Sequence, residues 1–181
     1  MKLENNYSLD KIIDQKLIQK RVHELSEEIS SYFPIDEDLI VLCVLNGSIF
    51  FCSDLIKNMG INIVLDTIRV KSYYKTEKKD LNILNDINTN IEGKNILIVE
   101  DIVDSGQTIS FLYNYINDKN PNDIKIVSFL FKPDVYKLNI KIDWVGFSID
   151  NNFVVGYGMD YNEKFRNLKD IYRLIDEKEK E

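Results

Sequence analysis

Residues 96–108 read ILIVEDIVDSGQT, and they concentrate more chemistry than any other stretch of the chain. The apolar run ends in paired carboxylates, Glu100 and Asp101. The segment Asp104-Ser105-Gly106-Gln107-Thr108 then has the composition of an anion-binding turn. Gly106 allows close approach to the backbone, Ser105 and Thr108 offer hydroxyl donors, and a following helix would aim free N–H groups at the loop. A plainer role is also open, in which Asp104 or Ser105 only caps that helix. Two familiar phosphate motifs do not fit. Asp101 stands where a P-loop needs glycine, and Gln107 stands in place of its lysine. Gly156-Tyr157-Gly158 lacks the third glycine of a dinucleotide fingerprint, Tyr161 being there instead, and reads as a turn.

The surrounding pattern supplies a frame for these residues. Ile18, Val22, Leu25 and Ile29 make an amphipathic helix over 15–32, with Asp14 placed to cap it and Pro34 beyond its end. Leu39–Leu45 is an apolar run of strand length, broken by Asn46-Gly47-Ser48. A second helix with Cys52, Leu55, Ile56 and Met59 on one face follows, and Gly60 is expected to end it. Residues 63–74 read as a long strand or hairpin arm, and 75–80 as a charged, mobile stretch. Further strands are expected at 95–99, 124–131, 144–149 and 153–157, and a third helix through Ile109, Leu112, Tyr113 and Ile116. Continuous apolar strands alternating with helices predict an α/β fold with a mainly parallel sheet flanked by helices. Ligands bind such sheets beyond the carboxyl ends of the strands, where Asn46-Gly47, Glu100-Asp101 and Lys132-Pro133 all fall.

Composition narrows the function classes. The 181 residues suit one domain. A formal charge of −7 and the lack of a long basic stripe argue against a duplex-nucleic-acid binder. Cys43 and Cys52 lie on apolar runs outside any Cys/His cluster, which disfavours zinc and suits a reducing cytoplasm. The N-terminal MKLENNYSLDKIIDQK carries no apolar signal region, and no stretch approaches the ~20 apolar residues of a membrane helix. His23, the sole histidine, sits in the charged HELSEE and reads as solvated helix surface. The DEKEKE tail is expected to fray.

VEDIVDSGQT resembles the phosphoribosyl-pyrophosphate signature of type I phosphoribosyltransferases. VLNGSIFFCSDL, IRVKSYY, FLFKPD and VGFSIDNNFVVGYGMDYNEKFRNL are similar, in order, to segments of the hypoxanthine-guanine phosphoribosyltransferase family. The resemblance runs from about residue 13 to the C-terminal end. It implies the type I phosphoribosyltransferase fold, with a small hood from about 1–36 and 150–181 and a flexible loop at about 71–82. It further implies that Glu100 and Asp101 face the ribose diol and a bridging Mg²⁺, since carboxylates are pure acceptors. The 5′-phosphate would go to Asp104, Ser105, Gly106, Gln107 and Thr108, and Asp104 would act as general base toward purine N7. Lys132 would donate to the 6-oxo group, Phe153 would stack on the ring, and the Val154 carbonyl would accept from N1–H. Asp160 would lie beside the purine and give a second Mg²⁺ contact. Asn46, Gly47, Ser72, Tyr73 and Arg166 would meet pyrophosphate.

Three departures from the family pattern stand out. Asn46 replaces the usual lysine or arginine, and whether it keeps the family's cis peptide is open. The arginine that often follows Lys132-Pro133 is missing, with Asp134, Val135 and Tyr136 in its place, and the loop after Ser72-Tyr73 lacks its usual glycine. The implied activity is purine salvage: a 6-oxopurine and phosphoribosyl pyrophosphate become a nucleoside monophosphate and pyrophosphate. Xanthine stays open because backbone groups are expected to read the 2-position. A homodimer or homotetramer is implied as well. The competing reading is a regulator that senses phosphoribosyl pyrophosphate and binds nucleic acid; its expected basic face is at odds with the −7 charge.

Overall fold

The polypeptide pairs its strands into two sheets joined through one core. The computed structural model describes residues 7–75 and 78–176, without the side chains of 72–80 and 176. In chain order the elements are β1 (Tyr7–Ile13), α1 (Gln15–Tyr32), β2 (Leu39–Leu45), α2 (Ile49–Lys57), β3 (Ile63–Lys75), β4 (Lys78–Asn85), β5 (Asn95–Val103), α3 (Gln107–Asn117), β6 (Asp123–Phe131), β7 (Trp144–Ser148), β8 (Val154–Val155) and β9 (Ile171–Asp176). The main sheet has the order β4-β3-β2-β5-β6-β7, parallel except for the antiparallel β3–β4 pair. A small antiparallel sheet, β1-β9-β8, forms the hood.

The apolar runs of β2 and β5 are continuous because both faces of the sheet are covered. Leu39, Val41, Cys43, Leu97 and Val99 pack toward α1 and α2, with Ile18, Leu25, Phe51 and Leu55. Ile40, Leu42, Val44, Ile96 and Ile98 pack toward Ile109, Leu112 and Ile116 of α3. The expected α1 is present, and its Asp14 carboxylate accepts from the N–H groups of Lys16 and Leu17 at 2.8 and 3.0 Å. Cys43 and Cys52 are buried free thiols, and His23 is exposed beside Glu27. Among the described residues no helix is long and apolar enough to cross a membrane.

Several boundaries differ from expectation. α2 stops at Lys57, with Asn58 as a right-handed C-cap, and Gly60 is not left-handed. β5 continues four residues past Val99, so Glu100 and Asp101 are strand residues. The charged segment from Lys78 belongs to β4, which pairs back on β3 from Arg69↔Asn85 to Lys75↔Lys78. β1 and β9 carry no clear periodicity; they form by pairing with each other, Tyr7↔Asp176 to Ile13↔Ile171. Of the N-terminal segment expected in the hood, β1 joins the hood sheet while α1 packs on the main sheet. The tail from residue 177 and residues 1–6, 76 and 77 lie outside the described residues.

Candidate active site

Strand order decides which polar residues meet. β2, β5 and β6 are neighbours, so their carboxyl ends present Asn46-Gly47, Glu100–Thr108 and Lys132 side by side. The loop from β5 to α3 turns at Gly106, whose φ of 81° lies in the left-handed region that glycine tolerates best. A Cβ there would collide with the Tyr136 ring. Gly106 itself is the N-cap of α3, and no side chain caps that helix. The capping role open to Asp104 and Ser105 is therefore not the one they take. Their loop instead borders a cleft of about 220 Å³, with Glu100, Gln107, Thr108 and Leu81 on its walls.

The β5 carboxylates are under electrostatic load. Glu100 is buried, and its Oε2 has no hydrogen-bond partner. Burial, with the charge of Asp101 added, pushes its carboxyl well above the usual range. Burial also raises Asp101, up to about 6, against the pull of the Ile102 N–H and the Arg166 guanidinium. Buried acceptors in this condition lack donors or a cation. A sugar diol or a Mg²⁺ ion would relieve them. Among the described residues no three metal-ligating side chains converge, so a Mg²⁺ ion would draw most of its shell from water and substrate oxygens.

Asp160 lines a second cleft together with Asp101. It pairs with Arg166 Nη2 at 2.7 Å and accepts from the Glu163 N–H. Arg166 Nη1 donates to the Gly158 carbonyl at 2.7 Å, which leaves the rest of its fork available. The hood turn rests directly on the β2 loop: a Cβ on Gly158 would overlap the Gly47 carbonyl, and one on Gly47 would overlap the Asp101 carboxylate. Tyr157 anchors the same turn by donating to Asp54 of α2 at 2.8 Å. The Leu45–Asn46 peptide is cis, and Asn46 is exposed.

The second cleft, about 200 Å³, is bordered by Asp101, Asp104, Lys132, Phe153, Val154 and Asp160. Lys132 is buried, and its Nζ lies 3.3 Å from both Asp104 Oδ2 and Asn151 Oδ1. Phe153 leaves 54% of its surface exposed and meets Tyr161 edge-on at 5.7 Å, so it is no core residue. Val154 is buried in β8. The two clefts share Ile102 and Asp104. Ser72 and Tyr73 lie in β3, but their side chains fall outside the described residues.

A hydroxyl-lined loop cleft that meets a lysine-and-aromatic cleft at a carboxylate has the makings of a site for a phosphorylated sugar joined to a flat base. Residues 8–162 match the family model of the phosphoribosyl transferase domain. The chain belongs to the phosphoribosyltransferase family. It is 41% identical over 159 residues to the hypoxanthine-guanine phosphoribosyltransferase of Bacillus subtilis, covering 87% of this chain and 88% of that protein. It is 37% identical over 160 residues to the hypoxanthine-guanine-xanthine phosphoribosyltransferase of Tritrichomonas foetus, covering 87% and 86%. A crystal structure of a Bacillus anthracis hypoxanthine-guanine phosphoribosyltransferase superposes with a TM-score of 0.87 at 37% identity, covering 94% of this chain and 99% of that one. In this phosphoribosyltransferase the structure adds residues that sequence reasoning did not single out. Asn151 touches Lys132 from a turn 19 residues later, Leu81 of β4 walls the cleft along the Asp104–Thr108 loop, and Asp54 braces the hood turn.

Proposed function

We propose that the protein joins N9 of hypoxanthine or guanine to C1′ of phosphoribosyl pyrophosphate, breaking the C1′–O bond and releasing pyrophosphate. The observation that most supports this is the meeting of the two clefts at Asp104, where sugar carbon and purine nitrogen would face one another. The Asp104–Thr108 loop holds the 5′-phosphate through backbone amides and hydroxyls. Glu100 and Asp101 accept from the ribose hydroxyls. Asp104 takes the N7 proton as the N9–C1′ bond forms. Lys132 donates to the 6-oxo group, Phe153 stacks on the ring, and the Val154 carbonyl accepts from N1–H. Adenine would set an amino donor against Lys132 and a bare N1 against a carbonyl, so both contacts fail together.

Asn46, Gly47, Ser72, Tyr73 and Arg166 receive pyrophosphate, with Arg166 the charged partner. Glu100, Asp101 and Asp160 are the residues that would hold Mg²⁺. Bound there with substrate, the ion would neutralise the leaving pyrophosphate. The same reading expects a cytoplasmic homodimer or homotetramer acting on small molecules, not nucleic acid.

The test supplies phosphoribosyl pyrophosphate and Mg²⁺ with hypoxanthine, guanine, xanthine, adenine or orotate, and follows product nucleotide. Turnover with hypoxanthine and guanine and little with adenine is expected. Equal rates with adenine would remove the Lys132 assignment, and no turnover with any base would remove the enzymatic reading.

A further inference from the structure

Lys132 is tethered from two sides. Its ammonium has three N–H donors. Asp104 Oδ2 and Asn151 Oδ1 each lie 3.3 Å from Nζ. An ammonium is tetrahedral, so once its stem and two acceptors are fixed the third donor has a fixed direction as well. The stem is buried, and the cleft bordered by Asp104 and Phe153 is the space open to that donor.

We propose that Asn151 is a positioning residue that holds the Lys132 ammonium for the 6-oxo group of the purine and keeps it from closing on Asp104. The inference rests on the roles given above to Lys132 and Asp104. Two observations carry it. The first is length: both contacts exceed the roughly 2.7–2.9 Å of a locked charge-assisted bond, so the ammonium is shared between its acceptors. The second is the mounting of Asn151. Its turn between β7 and β8 is stitched to the end of β6 by the Ile149 N–H donating to the Phe131 carbonyl at 2.9 Å, and closed by Asn152 N–H to Asp150 at 2.7 Å. Lys132 follows Phe131 directly, so tether and ammonium ride on one strand end.

The residue type fits the task. A neutral amide oxygen accepts one N–H without adding charge to a pocket that already contains Asp104. Without it, attraction in a partly desolvated pocket draws ammonium and carboxylate together. That closure takes the donor from the purine and burdens the base at once.

The test compares Asn151→Ala, Asn151→Asp, Lys132→Ala and the Ala/Ala double variant, each first checked for an unchanged melting temperature. For Asn151→Ala, KM for hypoxanthine and guanine should rise roughly tenfold, the scale of one hydrogen bond to a charged group. KM for phosphoribosyl pyrophosphate should stay constant, and the preference for hypoxanthine over adenine should shrink. Asn151→Asp keeps an acceptor oxygen but adds a charge that competes with the purine for the ammonium, so purine affinity should stay low; full recovery would overturn the need for a neutral acceptor. In the Lys132→Ala background the Asn151→Ala change should cost nothing further, because the two act as a unit. A merely structural Asn151 would lower all parameters together and would still cost in that background. If Lys132→Ala abolishes base discrimination while Asn151→Ala leaves it intact, the tether is wrong and the pocket stands. If Lys132→Ala also leaves discrimination intact, the pocket assignment falls and takes the tether with it.

Discussion

Replacing Asp101 with asparagine should stabilise the unliganded protein while crippling it. The Asp101 carboxyl moves from an ordinary value of 3.8 to about 6 because its desolvation, with the charge of Asp160 added, outweighs its backbone hydrogen bonds and the Arg166 guanidinium. A raised carboxylate means the folded state binds more protons than the unfolded one between these values, so stability falls as pH rises through that window. Worked through the linkage relation, the penalty is about 0.5 kcal/mol at pH 4 and reaches about 3 kcal/mol at pH 7. Asparagine removes the charge and can still accept the Ile102 N–H that Asp101 accepts at 2.9 Å. Relief of Glu100, which the Asp101 charge also pushes up, adds in the same direction. For a chain of this size 3 kcal/mol corresponds to roughly 6–12 °C in Tm. The assay is calorimetric unfolding of both proteins between pH 4 and 7.5, with Mg²⁺ and substrates removed. Taking the difference between the proteins cancels the other acids, such as Asp66 and Asp170, whose hydrogen bonds lower their values. The gap should open with pH and close when phosphoribosyl pyrophosphate and Mg²⁺ are added. A pH-independent gap, or a less stable variant at pH 7, would refute the claim that these carboxylates are loaded and waiting for a partner.

Two further outcomes follow from the same geometry. Asp104→Asn should lower kcat by about 10²–10⁴ with little change in the KM of either substrate, as loss of a general base does; steady-state kinetics check it, and an unchanged kcat removes that role. Gly47→Ala sets a methyl group against the Asp101 carboxylate, so it should destabilise by about 1–3 kcal/mol and raise the KM for phosphoribosyl pyrophosphate; urea unfolding and kinetics give both values.

What could be read from sequence was local. Glu100 to Thr108 are contiguous, so the acid pair and the anion turn announce themselves within one short stretch. The apolar runs of β2, β5 and β6 are continuous because helices or the hood cover both faces, and such runs survive reading without any partner in view. β4 escaped because it is an edge strand: half-buried Leu81 and Ile83 alternate with exposed Asn82 and Leu84, after a charged start. β1 and β9 escaped because their backbone bonds come from a partner at the opposite end of the chain. Asn151 carries no spacing signal toward Lys132; only the parallel pairing of β6 with β7 brings it there. Gly60 misled because glycine is permitted at a left-handed C-cap but is not bound to form one.

At the contact of Gly158 on Gly47 and of Gly47 on Asp101, no compressible side chain of the hood turn or the β2 loop intervenes. Main chain bears on main chain, and the second main chain bears on an acid. A rocking hood would therefore be felt at the Asp101 carboxylate with almost no slack. If Arg166 meets the leaving group and the β5 acids meet the pentose, as proposed, the two grips become one mechanical act, because the same rigid shim separates them.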